Sequence, residues 1–298
     1  MATVDLSQLP QPQIIEALDF EGILLDVQAT IIAAFPDDQQ EAVTAALAFE
    51  SEPLNVIAQT IAYRELMLRQ QINEGAAACM LSHAESSDLD NLSANLNTVR
   101  LEITAATDTS DAVMESDTAL RLRAQSAFEG LSVAGPTGAY EYYAKSASGR
   151  VKDAKAISPS PAVVIVSVLS TESDGTASAS LLATVNTALS AESIRPVGDR
   201  LTVQSAEIVT YAIEATLYLY PGPESEPIIT AAQNALSSWL SAQGKIGTDV
   251  ARSAIMAALH VQGVQRVELT SPSADIVISD TQSALCSSYH ISLGGTNE

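Results

Sequence analysis

Cationic side chains are scarce in this chain: 14 Lys and Arg stand against 36 Asp and Glu in 298 residues, for a formal charge of −22. Counterion release from phosphates and attraction to anionic headgroups both need clustered cations, so the balance argues against nucleic acid or a membrane surface as partner. The acidity itself reads either as a soluble surface or as a face for a basic partner. Cysteine is equally sparse, and Cys79 and Cys286 lie far apart, which excludes a disulfide framework. No apolar run approaches the ~20 residues of a membrane span. The longest, Ala162 to Leu169, is rich in Val and Ile and predicts one buried strand. Met1 to Asp5 has no basic stretch leading into an apolar core, so synthesis and assembly in the cytoplasm are expected.

Motifs for chemistry are missing too. Gly175-Thr176-Ala177-Ser178 lacks the Lys of a phosphate loop, and no G-x-G-x-x-G occurs. His83, His260 and His290 stand apart from one another. Cys79 and His83 share a helical spacing of four, but a structural zinc needs four ligands and no second pair is present. Asp37-Asp38 and Asp88-x-Asp90 sit at predicted helix starts, where carboxylates favour exposed N–H groups, and neither lies in a twelve-residue calcium loop. No serine stands in a nucleophile elbow. These absences assign no catalytic, cofactor-binding or metal-binding residue and predict a protein that is not an enzyme and needs no cofactor.

What is present is helical periodicity, then alternation. Phe20, Ile23, Leu24, Val27, Ile31 and Phe35 fall on one helical face, with Asp19 as its cap and Pro36 as its stop. A second helix is predicted from Asp38 to Phe49. A long third helix runs from Pro53 through Leu54, Ile57, Ile61, Leu66 and Leu68 towards Cys79, and Ser87 is expected to cap a short fourth. Thr107 to Ser116 is small and polar and reads as a flexible joint. Arg121 and Arg123 come next on a short helix, either solvated or meeting an acid from a neighbour.

Beyond Gly138, the stretch Val151 to Ser160 lines up with Val264 to Ser273, and Val163 to Ile165 with Ile276 to Ile278. This suggests two copies of a helix, strand, Ser-Pro turn, strand unit. Ser178 to Leu189 predicts an alanine-rich helix. In Leu201 to Tyr220, a long strand or strand pair, Tyr211, Ile213, Ala215, Leu217 and Leu219 alternate with residues of an outer face that includes Tyr218 and Tyr220. Pro221-Gly222-Pro223 ends it, and a helix from Glu224 to Gln243 turns Ile228, Ile229, Ala232, Leu236 and Leu240 inward. Trp239 is either core or a partner's anchor. The fold class expected is α+β: an all-helical arm over 1–104, then two small modules with mainly antiparallel strands over 105–206 and 207–298.

The run Ala127 to Ala144 carries a Gly135-Pro136 turn before a Tyr-rich helix, and leads through Arg150-Val151-Lys152-Asp153 to Ser158-Pro159-Ser160-Pro161, where the strand is expected to break. This run closely resembles the J family of baseplate proteins from contractile-tailed phages. So do Leu6 to Pro10, Gln40 to Val43, Glu50 to Leu54, Ala62 to Glu65 and Asp88 to Leu92 upstream. Downstream the likeness continues through Asp174 to Thr176, Arg195 to Val197, Thr202 to Val209, Tyr220 to Pro223 and Gly263 to Val267. The resemblance implies a structural subunit of the baseplate wedge of a contractile injection particle, a phage tail or tailocin. It implies that two copies of this chain join one smaller wedge protein of the I family through intertwined helices, and that the wedges ring the hub and spike, touch the lysozyme-like sheath initiator and rearrange on contraction. Two rival readings are a soluble hydrolase with an unrecognised carboxylate site and a surface-binding adhesin. The latter would need an exposed aromatic cluster on loops, whereas the tyrosines here fall on a helix and a strand.

Overall fold

A computed structural model describes residues 6, 9–10, 18–107, 109–132, 134–222 and 225–296. Met1 to Asp5, Ser7, Gln8, Asp108, Val133, Pro223 and Glu224, which enter the expectations above, lie outside the described residues. The fold is α+β, in two compact units, Met1–Asn97 and Thr98–Glu298.

The first unit contains four described helices: α1 (Phe20–Ala33), α2 (Gln40–Leu47), α3 (Pro53–Ala78) and α4 (Ser86–Ala94). Asp19 caps α1 as expected, its carboxylate accepting from the Glu21 N–H at 3.1 Å, one of the donors a helix start leaves unpaired. Pro53 opens α3, where its missing N–H costs no hydrogen bond. Helix α4 starts two residues early: Glu85 rather than Ser87 occupies the N-cap, with no side-chain bond to it. Helices α1 and α3 are tied by the buried Asn55, which accepts from Gln28 Nε2 at 3.0 Å and donates to the Phe49 carbonyl at 3.1 Å. Both ends of that amide are thus satisfied, which makes a polar group tolerable in so small a core.

The second unit begins with a hairpin in place of the expected flexible joint. Strands β1 (Glu102–Thr104) and β2 (Val113–Met114) pair antiparallel, and Thr107 and Ser110 bridge the turn. The reason lies in Arg123 of α5 (Asp117–Gln125), which is buried rather than solvated. Its guanidinium forks onto Glu115, Nε to Oε1 at 3.1 Å and Nη2 to Oε2 at 2.6 Å, and also donates to the Val99 carbonyl. Glu115 Oε2 accepts from the Leu101 N–H at 3.2 Å, so the pair clamps both legs of the hairpin.

Two three-stranded sheets complete the unit. In the first, β4 (Val163–Ser170) is central, antiparallel to β3 (Val151–Ser160) and parallel to β5 (Arg200–Ser205). Strand β3 does not break at Ser158-Pro159-Ser160; its register slips between Ile157 and Ser160, and the turn is Pro161-Ala162, with Ala162 at φ +61. Helices α6 (Thr137–Ser146) and α7 (Ala179–Leu189) bury Tyr140, Ala144, Leu181, Val185 and Leu189 against Val164, Val166 and Val168. In the second sheet, β6 (Glu207–Leu219) is central, antiparallel to β7 (Val264–Ser271) and parallel to β8 (Gln282–Thr296). Tyr211, Ile213, Ala215, Leu217 and Leu219 are all buried, as their alternation predicts. Helices α8 (Ser225–Gln243) and α9 (Arg252–Leu259) cover them with Ala232, Leu236, Ile255 and Leu259, and Trp239 packs half-buried at the edge of this core.

The stretch Leu201 to Tyr220 is therefore a strand pair, but its halves belong to different sheets, parted at Ala206. The suggested tandem repeat does not hold. Strand β4 hydrogen-bonds β3, whereas Ile276 makes only an isolated bridge to Val250 and leaves β7 to pair with β6. Between the two sheets, Leu169, Ala206, Ile208 and Ile246 form a small apolar seam. The seam is edged by Asp153 accepting the Ile246 N–H at 2.9 Å and by the Lys155–Asp280 ion pair at 2.8 Å.

Candidate assembly surface

Helix α3 carries apolar side chains on its inner face and on part of its outer surface, and it sorts them by size. The face towards the rest of the first unit carries Asn55, Ala58, Ala62 and Ala77, all buried, the first two alanines completely so. Its outer surface carries Ile57 (55% exposed), Ile61, Leu68 (58% exposed) and Ile72, at successive spacings of four, seven and four residues. These line up along one side of a helix. Val56, Tyr63 and Met67 form a second exposed row. Small residues inward let α1 approach closely; large ones outward leave an apolar surface that water covers at a cost, the arrangement expected of a protein interface. Ile57, Ile61 and Leu68 thus belong to this surface and not to the unit's core. Bulk at each position, not periodicity, distinguishes the two faces.

The Tyr-rich segment is a packing node. Four successive side chains of α6 reach four different parts of the second unit. Tyr140 donates to Asp199 Oδ2 at 2.8 Å, and Glu141 Oε1 accepts from the Ala156 N–H of β3 at 3.1 Å. The Tyr142 hydroxyl meets that of Thr98 at 3.0 Å, and Tyr143 donates to the Gly130 carbonyl at 2.7 Å. Burial, with the Asp199 carboxylate beside it, pushes the Tyr140 phenol well above its usual value. Gly135, at φ +72, turns the chain into this helix, and a Cβ there would stand 2.6 Å from Pro196 Cγ. The position therefore needs glycine both for its backbone and for its neighbour.

A cleft of about 170 Å³ opens between the sheets, lined by Lys152, Asp174, Tyr211, Gln243 and Cys286 among others. Its chemistry is quiet. Burial pushes the Cys286 thiol up, away from the thiolate a nucleophile requires, and its Sγ donates to the Ser288 carbonyl at 3.3 Å. Burial, followed by the nearby Cys286, raises the Tyr211 phenol to about 12. Among the described residues no group of three or more His, Cys, Asp or Glu side chains lies together, and no helix is long and apolar enough to cross a membrane. Cys79 is exposed at the end of α3, and His83 bonds the Ser82 hydroxyl at 2.7 Å.

An exposed apolar helix face in one unit, and in the other two sheet-and-helix modules, are features that suit a structural component of an assembly. The family is evident from three successive matches: residues 50–107 to the Baseplate J-like N-terminal domain, 132–205 to the Baseplate J-like central domain and 211–288 to the Baseplate J-like protein C-terminal domain. The chain belongs to the baseplate J family, and its role is that of a structural protein of a phage tail baseplate. Baseplate protein J of Escherichia phage P2 is 56% identical to it over 302 residues, covering 100% of both chains. The first family match begins just before α3 and takes in the whole of that helix.

Proposed function

We propose that this chain is a wedge subunit of a contractile particle, joining hub and spike to the sheath and helping to trigger contraction. It has no enzymatic activity of its own. Its parts divide the work: the helical arm, 1–104, makes the wedge contacts, and the modules 105–206 and 207–298 serve as rigid bodies. In each wedge two copies join one smaller I-family protein through the arm, with the sheath initiator and the hub as further neighbours. The parts assemble in the host cytoplasm and end in the particle. The observation that supports this reading is the outward row of Ile57, Ile61, Leu68 and Ile72 on a helix whose own unit is served by alanines.

The test is co-expression of the full chain with the smaller wedge protein, followed by size-exclusion chromatography. Ile61→Ser combined with Leu68→Ser is expected to leave the thermal midpoint within a few degrees of wild type and to abolish co-elution. Co-elution at full stoichiometry places the contact elsewhere and overturns this assignment. The rival hydrolase reading is checked by assaying the purified chain for hydrolysis, where no turnover is expected.

A further inference from the structure

The two sheets of the second unit meet over very little. Their cores, one on β4 and one on β6, share no residue among those described, and no described backbone hydrogen bond crosses from one module to the other. In the seam Leu169 is the one large side chain from the first module, set against Ile208 and Ile246 of the second. The rest of the grip is polar and comes from β3. The loop between α8 and α9 is anchored to its own module, where the Gly247 N–H donates to the Gln282 carbonyl at 2.9 Å and Ser283 Oγ to the Lys245 carbonyl at 3.3 Å. From across the seam Asp153 holds the Ile246 N–H with one carboxylate oxygen and Lys145, at 3.1 Å, with the other. Lys155 reaches over to Asp280, and the ammonium groups of Lys152 and Lys155 fill the places that a Cβ on Gly244 or Gly247 would take. All four lysines of the chain, Lys145, Lys152, Lys155 and Lys245, thus lie along this one seam. The inter-sheet cleft runs beside it. Gln243 lines that cleft, and its Oε1 is buried without a hydrogen-bond partner among the described residues.

We propose that this seam is a releasable latch: the modules 105–206 and 207–298 part about Ala206, each with its core intact, when β3 lets go of the 244–247 loop. The proposal goes beyond the assembly role given above and does not depend on it. Modules of one chain move relative to one another unless a large apolar interface holds them, and here that interface is a leucine between two isoleucines. The Lys155–Asp280 pair stands largely in water, its side chains 32% and 62% exposed, where ion pairs are weak and salt screens them. Widening the cleft gives the orphaned Gln243 oxygen access to water, which favours the open form. Against this, closing sets the Asp153 carboxylate on the Ile246 N–H, a charge-assisted bond and the firmest contact of the latch. Opening breaks no ladder in either sheet, so it is a smaller event than unfolding either core.

The experiment uses the full chain. Amide hydrogen exchange is followed at Ile246, whose N–H bonds across the seam, and at Val166 and Leu217, one in each core, at about 50 and about 500 mM NaCl and in a series of low urea concentrations. Ile246 is expected to exchange about tenfold or more faster than both core amides, with little dependence on urea, and faster still at the higher salt. Lys155→Gln, which leaves the Asp153 bond in place, should widen that gap roughly threefold or more while Val166 and Leu217 keep their rates. Parting of the modules is told from fraying of the loop by spin labels at Ala183→Cys on α7 and Ser238→Cys on α8, both exposed, in a chain carrying Cys79→Ser and Cys286→Ala and verified as folded by circular dichroism. Their distance distribution should gain a second, longer population at high salt and with Lys155→Gln. Exchange of Ile246 at the rate and urea slope of Leu217 overturns the proposal, because the seam then opens only when the unit unfolds. An unchanged distance distribution beside a fast Ile246 overturns it too, leaving a frayed loop between fixed modules. Equal acceleration of all three amides in Lys155→Gln makes the ion pair a support of the cores and not a latch.

Discussion

In residues 98–298 the large side chains are enclosed: Leu217, Leu236 and Ile255 are fully buried, while Thr210 and Glu214 face out from the same sheet. Residues 1–97 reverse this, with Ala58 and Ala62 enclosed and Ile57, Ile61, Leu68 and Ile72 exposed. Among the described residues, only Leu89 of the twelve largest fully buried side chains belongs to the first unit, whereas twelve of the 23 exposed large apolar residues do. A unit that keeps its bulk outside draws part of its stability from whatever covers it; one that keeps its bulk inside is a finished body on its own. Within one chain, two thirds that enclose most of their bulk are joined to a third that leaves a larger share of it outside.

The comparison can be broken or sharpened by matched substitutions. The largest effect is expected at the clamp on the hairpin. Arg123→Ala leaves Glu115 charged and buried, which costs about 3–5 kcal/mol, read as a lower denaturant midpoint. Leu217→Ala empties a site in the second core and should cost about 2–5 kcal/mol in the same measurement. Gly135→Val forces a branched residue into a positive φ and against Pro196, for about 1–3 kcal/mol. If particle yield falls with that variant while its midpoint holds, the turn is an interface and not a packing device. Alkaline pH should act on the second unit as well. The phenols of Tyr140 and Tyr211 are both raised on folding, so their contribution is fully present below the unfolded value near 10 and is lost as pH rises through the folded values. Unfolding midpoints should therefore decline above about pH 10, and less steeply in Tyr140→Phe. The smallest effect is expected from Leu68→Ala, within about 0.5 kcal/mol, because its side chain is already largely in water. A loss there comparable to that at Leu217 would abolish the contrast between the units.

How far the sequence anticipates this depends on whether the signal is local. The Asp19 cap, Pro53 at the head of α3 and the two-residue period of Tyr211 to Leu219 depend on neighbours in sequence, and each places its element well. The inward face of α3 cannot be read in that way, because alanines and isoleucines repeat with the same helical period and only tertiary packing decides which row is covered. Arg123 is similar. Its partner Glu115 lies eight residues away, ahead of the helix, so no pair spacing announces the clamp. The similarity of Val151 to Ser160 with Val264 to Ser273 is a likeness of two edge strands, each antiparallel to its central strand; the segments C-terminal to them pair differently. The surface offers no motif of its own, since an exposed isoleucine and a buried one are spelled alike.

Ala206 has one further consequence. It is the single residue between β5 and β6, and it joins the two sheets without a loop. Tension along the chain passes through it directly and loads the strands on both sides along their own axes. Ladder bonds then resist in shear, many at once, instead of opening one at a time. The two sides are unequal: β6 is held by neighbours on both edges, β5 by β4 alone, from Val163–Arg200 to Val168–Ser205. Under a pull that separates the sheets, the first ladder to give way is the one between β4 and β5, while the sheet built on β6 moves as an intact block.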